Sequence, residues 1–167
     1  MEPHVSIPVG VVAERRRGPS PWTEVQWSPA SVLTGIPDTP SWTRLADDGE
    51  RATFYAGATE IELHRTETGN YRTNLMTDEP VLWVVLELTN VGPSCRLAIV
   101  TADPAEAEAV AALGNGEIVE TVPMPPAIEV AIAAFVAEHH VERAFVKRRR
   151  DRANPEKMAP PHATRRR

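Results

Sequence analysis

The string VLWVVLEL, residues 81–88, decides the fold. It opens with an unbroken apolar run from Val81 to Leu86, rich in β-formers and too short for a membrane helix, so it is read as a central strand covered on both faces. The turn VGPS follows, and RLAIV, residues 96–100, makes the next strand of a hairpin. Further on, Asp103 offers an N-cap, Pro104 the favoured first helical position, Glu106 a carboxylate reaching back and Gly114 a stop, which predicts a helix over 104–113. EIVETV, residues 117–122, is a further strand. A second helix opens at Pro125 and Pro126 and carries Ile128, Ile132, Phe135, Val136 and His139 on one face, ending near His140.

Upstream of the central string, Val5, Ile7, Val9 and Val11 alternate with polar or small residues, the period of a half-buried strand. Pro8 lacks a backbone donor, so this strand is expected at a sheet edge or at a bulge. Val25 and Trp27 begin a second, irregular strand interrupted by Pro29, and Ile36 to Glu50 reads as a long surface loop. In RATFYAGATEIELHR, Phe54 and Ala56 sit on one parity and Ile61 and Leu63 on the other, which a bulge or turn near Gly57 reconciles. Strands first and helices later give an α+β fold, a mainly antiparallel sheet with two helices in the C-terminal half and a basic C-terminal tail. Residues 1–146 form the single expected domain and 147–167 a flexible tail.

Charge is distributed unevenly. Residues 1–142 hold 8 Lys and Arg against 21 Asp and Glu, whereas residues 143–167 hold 10 against 2. An acidic body repels phosphate backbones, so KRRRDR at 147–152 is not read as a nucleic-acid patch. With no membrane span and no secretory pattern at the N-terminus, the expected location is cytoplasmic.

Motifs for catalysis are missing from the sequence. There is no GxSxG, CxxC, GxGxxG or GxxxxGK[ST], and Cys95 stands alone as a small buried hydrophobe. His139 and His140 diverge by about 100° on a helix and cannot chelate together. No catalytic residue, metal or other cofactor is therefore expected. The densest polar constellation is HRTETGNYRTNL, residues 64–75, read as a loop at a sheet edge. His64, Arg65, Glu67, Asn70, Tyr71, Arg72 and Asn74 are candidates for binding a partner, unless they serve the loop's own backbone. To them are added His139, Phe145, Lys147, Arg148, Arg149 and Arg150, where an aromatic with an arginine rim follows the last helix. Trp83 is expected in the core; Trp22 and Trp42, on loops beside prolines, are the better interface candidates among the tryptophans, although covering the core is the first expectation for each.

IPVGVVAERR, FYAGATEIELHRTETGNYRTNL, VLWVVL, VTADPAEAEA, VPMPP and FVAEHHVERAFVKRRRDR together resemble the bacterial family DUF3305 across roughly residues 5–155. The string from Glu62 to Leu75 is the most specific part. The resemblance implies a role with molybdenum-dependent formate dehydrogenase, beside whose genes such proteins tend to be encoded, and it carries over no catalytic residue. The leading expectation is a non-catalytic small subunit or accessory protein bound to the large catalytic subunit of that enzyme or of another molybdoenzyme. The alternatives are a maturation chaperone for the molybdoenzyme, an unrecognised enzyme using His64, Glu62, Glu67 and Tyr71, or a nucleic-acid-binding protein.

Overall fold

A computed structural model describes residues 5–19 and 25–141. Its strands form two antiparallel sheets where one was expected. The first has the order β2-β1-β4-β3, built from β1 (Val5–Arg16), β2 (Gln26–Thr34), β3 (Thr43–Asp47) and β4 (Arg51–Leu63). The second has the order β6-β5-β7, built from β5 (Val81–Leu88), β6 (Cys95–Thr101) and β7 (Ile118–Pro123). β2 runs close to β7 and β4 close to β6, within 8 Å between Cα atoms, without ladder pairing at either seam. The sheets thus lean together around one core, like a barrel split along two lines.

That core takes Val9, Val11 and Ala13 from β1, Phe54, Ile61 and Leu63 from β4, and Leu82, Val84 and Leu86 from β5. β5 is the middle strand of its sheet, as its continuous apolar run requires. Its other face is covered too, because Val85 is buried outside the core cluster and helix α2 (Pro104–Leu113) packs against all three strands of that sheet. Trp83 shares the parity of Val85 and is only half-buried, so it lies outside the core where sequence placed it. α2 starts and stops as its caps dictate: Asp103 Oδ1 accepts from the Ala105 N–H at 2.8 Å, and Gly114 takes the left-handed conformation at φ 62°. Glu106 reaches back to the Thr101 hydroxyl, which donates to it at 2.7 Å.

β1 is an interior strand, paired on both sides, not an edge. Pro8 is tolerated because β2 pairs only from Gly10 onward, leaving the Pro8 end of β1 with β4 alone. The parity break in β4 is a bulge: Val11 faces Gly57 and Val12 faces Tyr55, so Ala56 is the extra residue. The stretch from Ile36 to Glu50 also contains more than a loop. β3 was hidden from pattern reading by its own bulge at Leu45, since Arg44 faces Phe54 and Ala46 faces Thr53. With four of its five residues exposed, β3 is held by backbone pairing and shows no apolar alternation.

Two glycines let the segment before β3 lie flat on the first sheet. A Cβ at Gly57, where φ is +127°, would stand 2.9 Å from Ser41 Oγ, and one at Gly10 would stand 3.0 Å from the Tyr55 ring and 3.3 Å from Pro37. Gly57→Ala is expected to lower stability by about 1–3 kcal/mol, from the disallowed φ and the displaced Ser41. Gly69→Ala, at a helical position with open space around it, should raise stability by about 0.5–1 kcal/mol. Urea unfolding of both variants checks the pair; equal shifts would contradict the bulge geometry.

Candidate partner-binding site

The constellation expected as a loop is a short 3-10 turn, Arg65–Glu67, running into helix α1 (Thr68–Leu75). Thr68, Gly69, Asn70 and Thr73 are weak helix formers, so propensity gave no sign of it. The helix is held from outside: Thr68, Tyr71 and Asn74, three residues apart, make one buried polar face.

Each buried member of that face fastens a different element. The Tyr71 hydroxyl accepts from the His64 N–H at 3.0 Å and donates to the Glu62 carbonyl at 3.5 Å, tying α1 to the end of β4. Its ring meets that of Phe135 edge-on, 6.2 Å between centroids, against helix α3 (Pro126–His139). Asn74 Nδ2 donates to the carbonyls of Val81 at 2.8 Å and Ala102 at 3.1 Å, while its Oδ1 accepts from the Val81 N–H at 3.1 Å. One amide thereby joins the start of β5 to the residue just past β6. Thr68 Oγ1 lies 3.1 Å from His140 Nδ1, and Arg72 Nη1 lies 3.5 Å from His140 Nε2. Arginine can only donate, so Nε2 accepts and the proton of the neutral ring sits on Nδ1, donated to Thr68; the Thr68 hydroxyl then donates to the Arg65 carbonyl at 3.3 Å.

Tyr71 and Asn74 are therefore corrected from partner contacts to internal fasteners, being 1% and 4% exposed. Glu67 and Asn70 bond to each other at 3.0 Å, and half-buried His64 stands 3.7 Å from Glu62. His139 tucks its ring 4.6 Å from that of Phe135 and its Nε2 3.5 Å from Glu138. Thr68 and His140, which bond α1 to the residue closing α3, were not among the contact candidates read from sequence; for Thr68 the signal was a three-residue spacing of polar side chains, invisible to a search for apolar ones. Of the outward-facing candidates, Arg65 and Arg72 are exposed. Met76, one turn beyond Arg72, and Val141, next to His140, are 73% and 77% exposed. Phe145, Lys147, Arg148, Arg149, Arg150 and Trp22 lie outside the described residues.

Trp42 covers the core, as its first expectation had it, with its ring 5.4 Å from Trp27 in a T-shaped pair and 6.4 Å from Phe54. Cys95 is buried, and burial pushes its thiol up to about 11. Glu62 lines an open cleft of about 250 Å³ with Glu60 and Glu106 at the β4/β6 seam, while the Tyr71 hydroxyl is engaged by backbone. Among the described residues, no group of three or more His, Cys, Asp or Glu is placed to hold a metal, and no helix is long and apolar enough to cross a membrane.

Two sheets split along unpaired seams, with α1 and α3 packed together over the shared core, define an α+β class of protein. Residues 8–149 match the family described as protein of unknown function (DUF3305), and the chain belongs to that family. No curated protein and no solved structure matches it.

Asn74→Ala is expected to cost about 2–4 kcal/mol in urea unfolding, since it strips buried backbone groups on β5 and beyond β6 of their partner, whereas Asn70→Ala should cost about 0.5 kcal/mol or less. Tyr71 gives a pH test. Burial, aided by the carboxylates of Asp103, Glu67 and Glu106 and opposed by the His64 N–H, pushes its phenol up to about 12. The raised value stabilises the fold fully below pH 10, the unfolded value, and the contribution is lost as pH rises toward 12, on the order of 2 kcal/mol. Tyr71→Phe should lose stability at neutral pH and flatten that alkaline decline; an unchanged slope would mean the phenol ionises freely.

Proposed function

We propose that this chain is a non-catalytic small subunit or accessory protein of a molybdenum-dependent formate dehydrogenase, acting in the cytoplasm by binding the large catalytic subunit. Family membership supports the choice of partner, through the association that the resemblance implies. The observation that carries the binding role is the rigid polar junction of Thr68, Arg72 and His140. It fixes the end of α3 against α1, so that Met76 and Val141 stand exposed on a braced surface beside Arg65 and Arg72. Exposed apolar groups with an arginine rim, on backbone that the junction holds in place, are what a protein interface needs, because the backbone that carries them is already ordered before association. The residues that follow, Phe145 and then Lys147 to Arg150, extend the same chemistry along the sequence. Redox chemistry stays with the partner in this reading.

Tagged chain expressed in cells that make the enzyme should recover the molybdopterin subunit in equimolar amount with active, cofactor-loaded enzyme. Recovery of cofactor-free enzyme alone would transfer the reading to a maturation chaperone, and recovery of neither would refute both. A chain ending at Val141 should unfold at the same urea midpoint as the full chain yet lose the partner. Met76→Asp and Val141→Asp, both at exposed positions, should each leave stability within about 0.5 kcal/mol and weaken association at least about tenfold.

A further inference from the structure

We infer that the groove between the end of β1 and the β5–β6 turn is a docking site for an acidic, apolar-flanked peptide segment of a protein partner. The inference rests on the proposed protein-binding role but places a second contact on a different set of elements. The groove encloses about 430 Å³ and is walled by Arg15, Val25, Trp27, Leu88 and Pro93. It bridges the two sheets, with Arg15 near the end of β1, Trp27 at the start of β2 and Leu88 at the end of β5.

Arg15 is its chemical centre. The guanidinium carbon sits 5.0 Å from the centre of the Phe54 ring and 5.9 Å from that of Trp27, so the group is pinned over two core aromatics. It is half-buried, and among the described residues its N–H donors meet no acceptor. A stacked guanidinium keeps its edge for a planar bidentate acceptor, and its fixed orientation removes most of the entropy cost of forming that pair. Apolar groups flank it, with Val25 47% and Leu88 57% exposed.

Charge selects the ligand. The body to residue 142 has only 8 Lys and Arg, yet Arg15, Arg16 and Arg17 are consecutive and Arg51 faces Arg16 across the ladder. Glu14 lies 3.7 Å from Arg16 and 4.0 Å from Arg51, and in the β3–β4 turn Asp48 Oδ1 accepts from the Arg51 N–H at 2.7 Å while the Glu50 carbonyl accepts from the Arg17 N–H at 3.0 Å, so carboxylates stand beside the outer arginines. Arg15 pairs with none of them and is the cation of this end left open to a ligand among the described residues. A polyphosphate or nucleic acid would be repelled by the rest of the surface, whereas a single Asp or Glu between apolar side chains meets the guanidinium and the apolar walls together.

The test uses the full chain on an array of terminally blocked nonapeptides, followed by solution titration of the best binders. Expected are peptides carrying Asp or Glu beside Leu, Ile, Val or Phe, with at least tenfold loss when the acid becomes Asn or Gln. Arg15→Gln should lose the same binding tenfold or more, and Arg15→Lys nearly as much, since a point charge cannot make the paired bonds. Leu88→Glu, at an exposed position, should abolish binding without touching the stacked aromatics, which separates loss of the site from loss of the fold. No enrichment for acids, retention of binding in Arg15→Gln and Leu88→Glu, or equal competition by inorganic phosphate would overturn the docking site. Co-purification of the molybdopterin subunit by Leu88→Glu at wild-type yield, with the peptides lost, would leave the proposed function standing and restrict this groove to another partner.

Discussion

Helix α1 is fixed between the two sheets by hydrogen bonds from its buried face, with Tyr71 and Leu75 adding apolar contact to the core. It follows β4 in the chain and must be locked to a sheet with which β4 makes no ladder. Tyr71 anchors it to the last residues of β4, and Asn74 anchors it to β5 and to the residue after β6. Each such bond contributes only about 1 kcal/mol net, but leaving those backbone groups buried and unpaired costs more than making the bonds returns. The packing of α3 depends on the same arrangement, because Phe135 lies against Tyr71 and the end of α3 is fixed by His140 against Thr68. An apolar helix face would slide among similar contacts; directional bonds to three elements leave one position.

How much of this was legible follows from which residues carry it. β5 was readable because both of its faces are apolar, and α2 because Asp103, Pro104 and Gly114 each do at its ends what their side chains or backbone demand. The β4 bulge was readable from a change of parity. β3 was not, since its bulge at Leu45 breaks the alternation and its side chains face water. α1 was misread for a related reason: its buried positions are polar, so neither propensity nor apolar period marked it. The division into two sheets was illegible in principle, because strand patterns say which residues face inward and not which strands fail to pair.

The candidate site was half legible. The string from His64 to Asn74 was correctly singled out as dense in directional chemistry, but its inward members hold the fold together. Only Arg65 and Arg72 of that string remain as exposed cations, and Arg72 is also engaged by His140. Sequence can show that a segment concentrates hydrogen-bonding groups; which of them turn inward is decided by the helix phase, and a loop reading assigns no phase. Trp42 followed the same course, an aromatic placed on a surface segment that turns in to close the Trp27 and Phe54 cluster.

The two surfaces proposed to bind partners owe their character to this inward use of polar groups. Because Tyr71, Asn74 and Thr68 are buried, the outer side of α1 is formed by what remains at the intervening positions, and its helix phase sets Arg72 and Met76 on one stripe four residues apart. At the end of β1 the same economy holds in reverse. Arg15 is charged yet packs over the core aromatics by its flat face, which leaves its hydrogen-bonding edge available beside arginines that Glu14 and the β3–β4 turn already engage. In the proposed docking site Arg15 stabilises the fold through packing while its guanidinium edge is kept for an acceptor from outside, so the residue that makes this end rigid is also the one that would make it adhesive.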